Sequence, residues 1–337
     1  MKAIGYKSAC TLDRQDALVD FNPERPRAVG RDMLVEIQAI SVNPVDTKIR
    51  KNVAPEAGET KVLGWDAVGK IVEIGDAVTL FKPGDEVFYA GSLVRPGANS
   101  QFHLVDERIV GRKPKTLNHA EAAAMPLTAI TAWEMLFDRL DIRKPVPGAA
   151  NAVVIIGGAG GVGSIAIQLV RALTDLTVIA TASRPETQAW VQGLGAHHVV
   201  DHSKPIASQI AALNIGSPAF VFSTTQTLQH LADIVELIAP QGRFGLIDDP
   251  AGIDIMSFKR KSVSIHWEFM FTRSMFETPD MSQQGILLNE VAGLIDQGKI
   301  RTTVTKKLSP INADNLMKAH QLIESGKSKG KLVLEGF

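Results

Sequence analysis

Through residues 1–120, short apolar and β-branched runs alternate with turns, the texture of strands rather than helices. Residues 34–40, 67–74 and 86–89 read as strands. Gly75-Asp76, Pro83-Gly84-Asp85 and Arg95-Pro96-Gly97-Ala98-Asn99 read as turns between them. This spacing predicts a small, mostly antiparallel β barrel. From His119 the pattern changes: 121–125 and 129–136 carry helical spacing, and Pro145-Val146-Pro147-Gly148 marks a boundary. Strands at 153–156, 177–181, 198–201, 219–222 and 243–247 then alternate with helices at 164–170, 186–194 and 228–238. That order predicts an α/β, doubly wound parallel sheet. Beyond about residue 262 the pattern breaks again, into helices at 281–298 and 313–325 and a last strand at 330–334.

A chain of 337 residues is long enough for two domains. Its 36 basic residues balance 36 acidic ones, which leaves no electrostatic footprint for nucleic acid or an anionic membrane. The basic stretch 327–331 reads as solvated. One cysteine, Cys10, excludes an internal disulfide framework and any cysteine-based zinc cluster. Met1-Lys2-Ala3-Ile4-Gly5-Tyr6 lacks the apolar core of a signal peptide and reads as a first strand. Residues 152–170 are apolar enough to suggest a membrane span, but glycines cluster mid-segment, where a spanning helix suffers most. The expectation is a soluble, cytoplasmic protein.

The chemistry begins at Val153-Val154-Ile155-Ile156, a strand buried on both faces, followed by Gly158, Gly160 and Gly163 in the pattern G-x-G-x-x-G. A strand, a glycine turn and a helix in that order make an anion site. The helix start leaves backbone N–H groups unpaired, and its dipole favours a pyrophosphate. Gly161 and Val162 complete the turn. In such folds an acidic residue about 20 positions beyond the glycines takes the ribose 2′-hydroxyl. Here the next strand ends in Ala182-Ser183-Arg184, with no carboxylate and an arginine placed to meet a 2′-phosphate. The same residues also read as a helix start, with Ser183 as cap and Glu186 closing a capping box. One turn can do both, and NADPH is the expected cofactor.

At Ser41-Val42-Asn43-Pro44-Val45-Asp46, Leu63-Gly64-Trp65-Asp66-Ala67-Val68-Gly69, Pro83-Gly84-Asp85-Glu86-Val87, Thr131-Ala132-Trp133 and Gly158 to Gly163, the chain resembles the medium-chain dehydrogenases/reductases. It is most similar to their zinc-independent quinone oxidoreductase branch, over essentially its whole length. The resemblance implies a GroES-like catalytic domain at 1–123 and 266–337, a Rossmann nucleotide-binding domain at 124–265, and a homodimer or homotetramer. Zinc-dependent relatives place a cysteine where this chain has Asn43 and a histidine where it has Trp65. Of the catalytic set only Asp66 remains, whereas zinc catalysis requires about three protein ligands and an open position. His197 and His198 are adjacent, so a strand would point them to opposite faces, and the other histidines are scattered. No metal is expected.

Without a metal, hydride transfer suits acceptors whose reduced form is a stabilised, conjugated anion: quinones and α,β-unsaturated carbonyls. The resemblance places Asn43 and Asp46 on the active-site floor and sets Lys48 where plant-type enone reductases have a lysine, as a donor to the substrate oxygen. It assigns Thr131 to the nicotinamide carboxamide. His202 is a second candidate for the 2′-phosphate, or a surface histidine. Trp65, Trp267, Phe269 and Phe271 are candidates for an aromatic wall against a flat substrate, or core residues. The bland alternatives for the floor are a turn at Asn43-Pro44, a helix cap at Asp46 and simple exposure of Lys48. Two further functions stand beside quinone or enone reduction. One is metal-free alcohol or aldehyde dehydrogenation; the other is a non-catalytic, crystallin-like or redox-sensing NADPH-binding protein.

Overall fold

The computed structural model describes residues 1–337. Eight strands precede residue 113: β1 (Ala3–Tyr6), β2 (Val19–Phe21), β3 (Asp32–Val42), β4 (Lys61–Val62), β5 (Ala67–Ile74), β6 (Glu86–Tyr89), β7 (Phe102–Asp106) and β8 (Val110–Arg112). Between β3 and β4 lies a helix that the apolar pattern did not announce, α1 (Pro44–Asn52). It is polar, and its Asn-Pro start looks like a turn from sequence alone. Proline suits the first helical position because its missing N–H has no helical partner there.

Helix α2 (Pro126–Trp133) is followed by a wider, π-type turn at Glu134–Arg139, where the sequence suggested one helix through residue 136. That turn delivers Arg139 Nε to 2.8 Å from Oε2 of the buried Glu268. Burial, with Glu134 adjacent, pushes the Glu268 carboxyl well above the usual carboxylate range, against the pull of Arg139.

The alternating segment gives β9 (Ala150–Ile156), α3 (Gly161–Leu173), β10 (Thr177–Thr181), α4 (Pro185–Gly193), β11 (His198–Val200), β12 (Pro218–Ser223), α5 (Thr227–Leu237), β13 (Arg243–Leu246) and β14 (Ser264–Trp267). All pairings are parallel, in the order β11-β10-β9-β12-β13-β14. This is the doubly wound order in which the chain reverses direction across the sheet beside its first strand, β9. Val154, Ile156, Ile179, Val221, Ile234 and Phe244 share one core under it. Strand β14 lies beyond the expected end of the sheet. As an edge strand it exposes Ser264 and Trp267, so it lacks the apolar run that marks the others.

The C-terminal segment adds α6 (Gln283–Asp296), β15 (Val304–Leu308), α7 (Ala313–Glu324) and β16 (Lys331–Glu335). Strand β16 pairs antiparallel with β3, Leu332 opposite Val42, so both chain ends build one sheet in the order β15-β16-β3-β5-β6-β8, with β7 also on β3. All its pairings are antiparallel except β15 with β16. The chain packs as two units, Met1–Ile130 with Phe271–Phe337, and Thr131–Met270. Both boundaries fall later than 123/124 and 265/266: α2 runs through the first, and β14 extends the sheet before the second. No helix is long and apolar enough to cross a membrane.

Candidate functional site

In the inserted unit, β9 is fully buried from Val153 to Ile156, and the chain leaves it at Gly157 with φ +78°. A side chain there would be strained, and its Cβ would lie 2.4 Å from Thr224 Oγ1. The turn is pinned to the neighbouring strand: Gly157 N donates to Thr181 Oγ1 at 3.0 Å, and Gly158 N to Thr181 O at 3.2 Å. Gly160 caps α3, which starts at Gly161, earlier than its apolar face at 164–170 suggested. Gly161, Val162 and Gly163 therefore form its first turn, ahead of the bond from Ser164 N to Gly160 O. Their N–H groups and the helix dipole suit an anion. Gly163 meets the turn so closely that a Cβ would sit 2.4 Å from Gly157 O.

The helix after β10 starts differently from the expected Ser183–Glu186 box. Arg184 is the N-cap, and its N–H donates to Thr187 Oγ1 at 3.2 Å. Pro185 takes the first helical position and so moves the cap from Ser183 to Arg184. Ser183 is half-buried beside it, and Glu186 is exposed and pairs with Arg184 Nε at 3.0 Å. His202 Nδ1 lies 3.2 Å from Thr181 Oγ1, the oxygen that also holds Gly157 N, and its ring is 6.1 Å from that of His230. Burial lowers the His202 pKa; Asp201 opposes this and Arg184 adds to it. Thus the structure gathers the glycine turn, Thr181 and His202 at the C-terminal ends of β9 to β11, with Arg184 in electrostatic reach. Thr131 lies elsewhere in this unit, buried on α2, and Trp267 is 54% exposed at the end of β14.

In the first unit, Asn43 and Asp46 are both 1% exposed, and Lys48 stands exposed on α1. Asn43 is the N-cap of α1, and Asp46 Oδ2 accepts its backbone N–H at 2.7 Å. The Asn43 amide turns the other way, donating from Nδ2 to Asp66 Oδ2 at 2.8 Å and accepting from Lys331 at Oδ1. Lys331 also donates to Asp66 Oδ2 at 2.8 Å and to Val42 O at 3.3 Å. Asp66 Oδ1 accepts from Leu127 N at 2.8 Å. Burial pushes the Asp66 carboxyl up, and Lys331, Leu127 N–H and the Asn43 amide oppose it. The solvated reading of 327–331 thus fails at Lys331, which is 4% exposed. Its place at the start of β16 turns its side chain into the cluster, where its ammonium finds three acceptors.

Trp65 is buried, donates its indole N–H to Ser92 O at 3.0 Å, and meets Phe271 edge-to-face with centroids 6.3 Å apart. These two of the candidate aromatics are together; Phe269, like Trp267, is exposed in the other unit. Zinc does not fit here. Asn43 is committed to Asp66 and Lys331, the Trp65 indole is a donor only, and the remaining carboxylate is already paired with an ammonium. Nor does any group of three or more His, Cys, Asp or Glu side chains converge as a metal site.

Asp46 offers a direct check on this geometry. Burial raises its carboxyl to about 7, opposed by the Asn43 N–H and Lys331 and reinforced by Asp66. Below the ordinary carboxylate range near pH 4, both folded and unfolded chains hold the proton. Between about pH 4 and pH 7 the unfolded chain releases it first, so stability falls as pH rises and the full cost stands above pH 7. Asp46→Asn keeps an acceptor for Asn43 N–H without the charge. It should stabilise the protein by roughly 2–4 kcal/mol at pH 8.5 and hardly at all near pH 4. Thermal unfolding across that range checks it; a pH-independent offset would contradict the buried carboxylate.

The model of the alcohol dehydrogenase GroES-like domain matches residues 30–115, and that of the zinc-binding dehydrogenases matches 194–334. The chain is 39% identical to the zinc-type alcohol dehydrogenase-like protein of Staphylococcus epidermidis, covering 99% of each. It is 30% identical to the mitochondrial NAD(P)H oxidoreductase RTN4IP1 of Danio rerio, over 90% of this chain and 83% of that one. Among solved structures it is similar to a Rhizobium etli CFN 42 protein assigned provisionally to the zinc-dependent alcohol dehydrogenases. That likeness has 64% identity and a TM-score of 0.99, and covers 100% of this chain and 98% of the other.

Proposed function

The chain belongs to the medium-chain dehydrogenase/reductase superfamily, and from that premise we propose that it is an NADPH-dependent reductase of quinones or α,β-unsaturated carbonyls that works without a metal. The carrying observation is the strand–glycine turn–helix at Ile156 to Gly163, followed just beyond the next strand by Arg184 in place of a carboxylate. The turn's N–H groups would hold the diphosphate. Arg184 would hold the 2′-phosphate, exchanging its exposed partner Glu186 for it, with His202 as a second contact. Thr131 would orient the carboxamide. A bound nicotinamide supplies a hydride from C4. Lys48 donates a hydrogen bond to the acceptor's oxygen as negative charge develops there. The paired Asp66, the committed Asn43 and the donor-only Trp65 favour acceptors whose reduced anion is stabilised by its own conjugation.

Arg184→Ala should weaken NADPH by roughly 1.5–3 kcal/mol, the worth of a charged hydrogen bond, and leave NADH nearly unchanged. Titration of both cofactors by nicotinamide fluorescence reads this directly. Equal losses for the two would remove Arg184 from the 2′-phosphate.

A further inference from the structure

We propose that the buried ammonium of Lys331 is a positioning residue for the reaction, fixing the Asn43 amide and with it the residue from which the helix that carries Lys48 starts. The inference rests on the reading that Lys48 serves the reduction.

Lys331 is nearly enclosed: its side chain is 3% exposed and that of Asp66 is 0% exposed. Three acceptors face its nitrogen, namely Val42 O, Asn43 Oδ1 and Asp66 Oδ2. An ammonium has three N–H groups, so the count closes. The Asn43 amide is then fixed in one of its two orientations. Its oxygen faces the ammonium, and its nitrogen donates to the carboxylate at 2.8 Å. Turned over, it would set NH₂ against the ammonium and oxygen against the carboxylate, both repulsive. Asn43 is also the N-cap residue of α1, so an amide held by Asp66 and Lys331 tethers the residue from which the helix starts, and Lys48 stands on the next turn.

The same ammonium joins distant segments. It lies on β16, bonds to the end of β3, and pairs with an Asp66 whose other oxygen holds Leu127 N at the start of α2. Removing one partner of a buried pair leaves the other charged and unpaired. In Lys331→Ala, Asp66 and Asn43 Oδ1 would face each other across the vacated space, and the N-cap residue of α1 would lose the partner that holds its amide. Lys331 reaches the reaction through Asn43 and α1 rather than by contact with the acceptor.

The test is chemical rescue. Lys331→Ala and the uncharged, equally long Lys331→Met are compared with wild type for kcat with a quinone or enone and for NADPH affinity. Both variants should lose about 10- to 100-fold in kcat, as for a misplaced reacting group, with NADPH affinity close to wild type. n-Propylammonium, which replaces the missing chain and charge, should restore much of the kcat of Lys331→Ala. Equal 1-propanol or potassium chloride should not. Wild-type kcat in Lys331→Met would overturn the proposal, as would equal rescue by propanol. If wild type turns over no acceptor, the functional reading fails separately. Thermal unfolding then decides for the cation: n-propylammonium should raise the Tm of Lys331→Ala but not that of wild type, and no such rise overturns it.

Discussion

Lys48→Ala is expected to lower kcat for quinone or enone reduction by about 10²–10³-fold, the usual loss for one positioned donor to a developing oxyanion. NADPH affinity should stay close to wild type, because the glycine turn and Arg184 belong to the other unit. The size of the effect follows from the supports beneath Lys48. Asn43 and Asp46 close the start of α1 with a 2.7 Å bond from the Asn43 N–H to the Asp46 carboxylate, and both are buried. A helix anchored this way holds the backbone of Lys48 in place, so that only its side chain must order when it meets substrate. Lys48→Arg retains charge but changes reach and shape, and should recover only part of the rate. An unchanged kcat in Lys48→Ala would remove Lys48 from the chemistry and leave it an exposed surface lysine.

The second large effect is expected at the glycine turn. In Gly163→Ala the new Cβ would lie 2.4 Å from Gly157 O and 2.7 Å from Gly158 Cα. Both are backbone atoms of the same turn, so nothing flexible can yield and the turn must open. The fold should lose about 1–3 kcal/mol, as overpacked sites do. Dinucleotide affinity should fall at least about 100-fold, or about 2.8 kcal/mol. Gly160→Ala is the matched control. Its Cβ meets only Gly157 O, at 3.4 Å, with φ −69° already acceptable to alanine. That variant should unfold like wild type, yet still bind NADPH less well, because the added methyl keeps the diphosphate off the backbone. Unfolding curves and cofactor titrations of the two variants separate a structural turn from a binding turn. Undiminished binding in both would take the cofactor away from this turn.

What could be read from sequence was what is written locally. The run Val153 to Ile156 and the glycines behind it lie in one stretch of chain, and their chemistry is backbone chemistry, so residue type alone nearly specifies them. Asn43, Asp46 and Lys48 could be named as a group, but not sorted. The fold makes Asn43 and Asp46 buried supports and leaves Lys48 exposed. Lys331 could not be found. It pairs with Asp66 across 265 residues, and amid Lys327 and Lys329 it looks like one more solvated charge. Only strand pairing to β3 shows which way it points. The cap at Arg184 was legible in principle, since Pro185 at the first helical position settles which residue precedes the helix. The edge strand β14 was not, because exposed Ser264 and Trp267 remove the apolar run by which a buried strand is recognised.

The most direct measurement is one assay matrix: oxidation of NADPH and of NADH by the purified protein against a quinone, an enone and a simple aldehyde, each with and without a chelator. NADPH oxidation by quinone or enone should far exceed that with NADH or with the aldehyde, and the chelator should change nothing. Chelator-sensitive turnover of the aldehyde would contradict the metal-free chemistry argued from Asn43, Trp65 and the Asp66–Lys331 pair. Tight NADPH binding with no turnover of any acceptor would contradict the reductase itself.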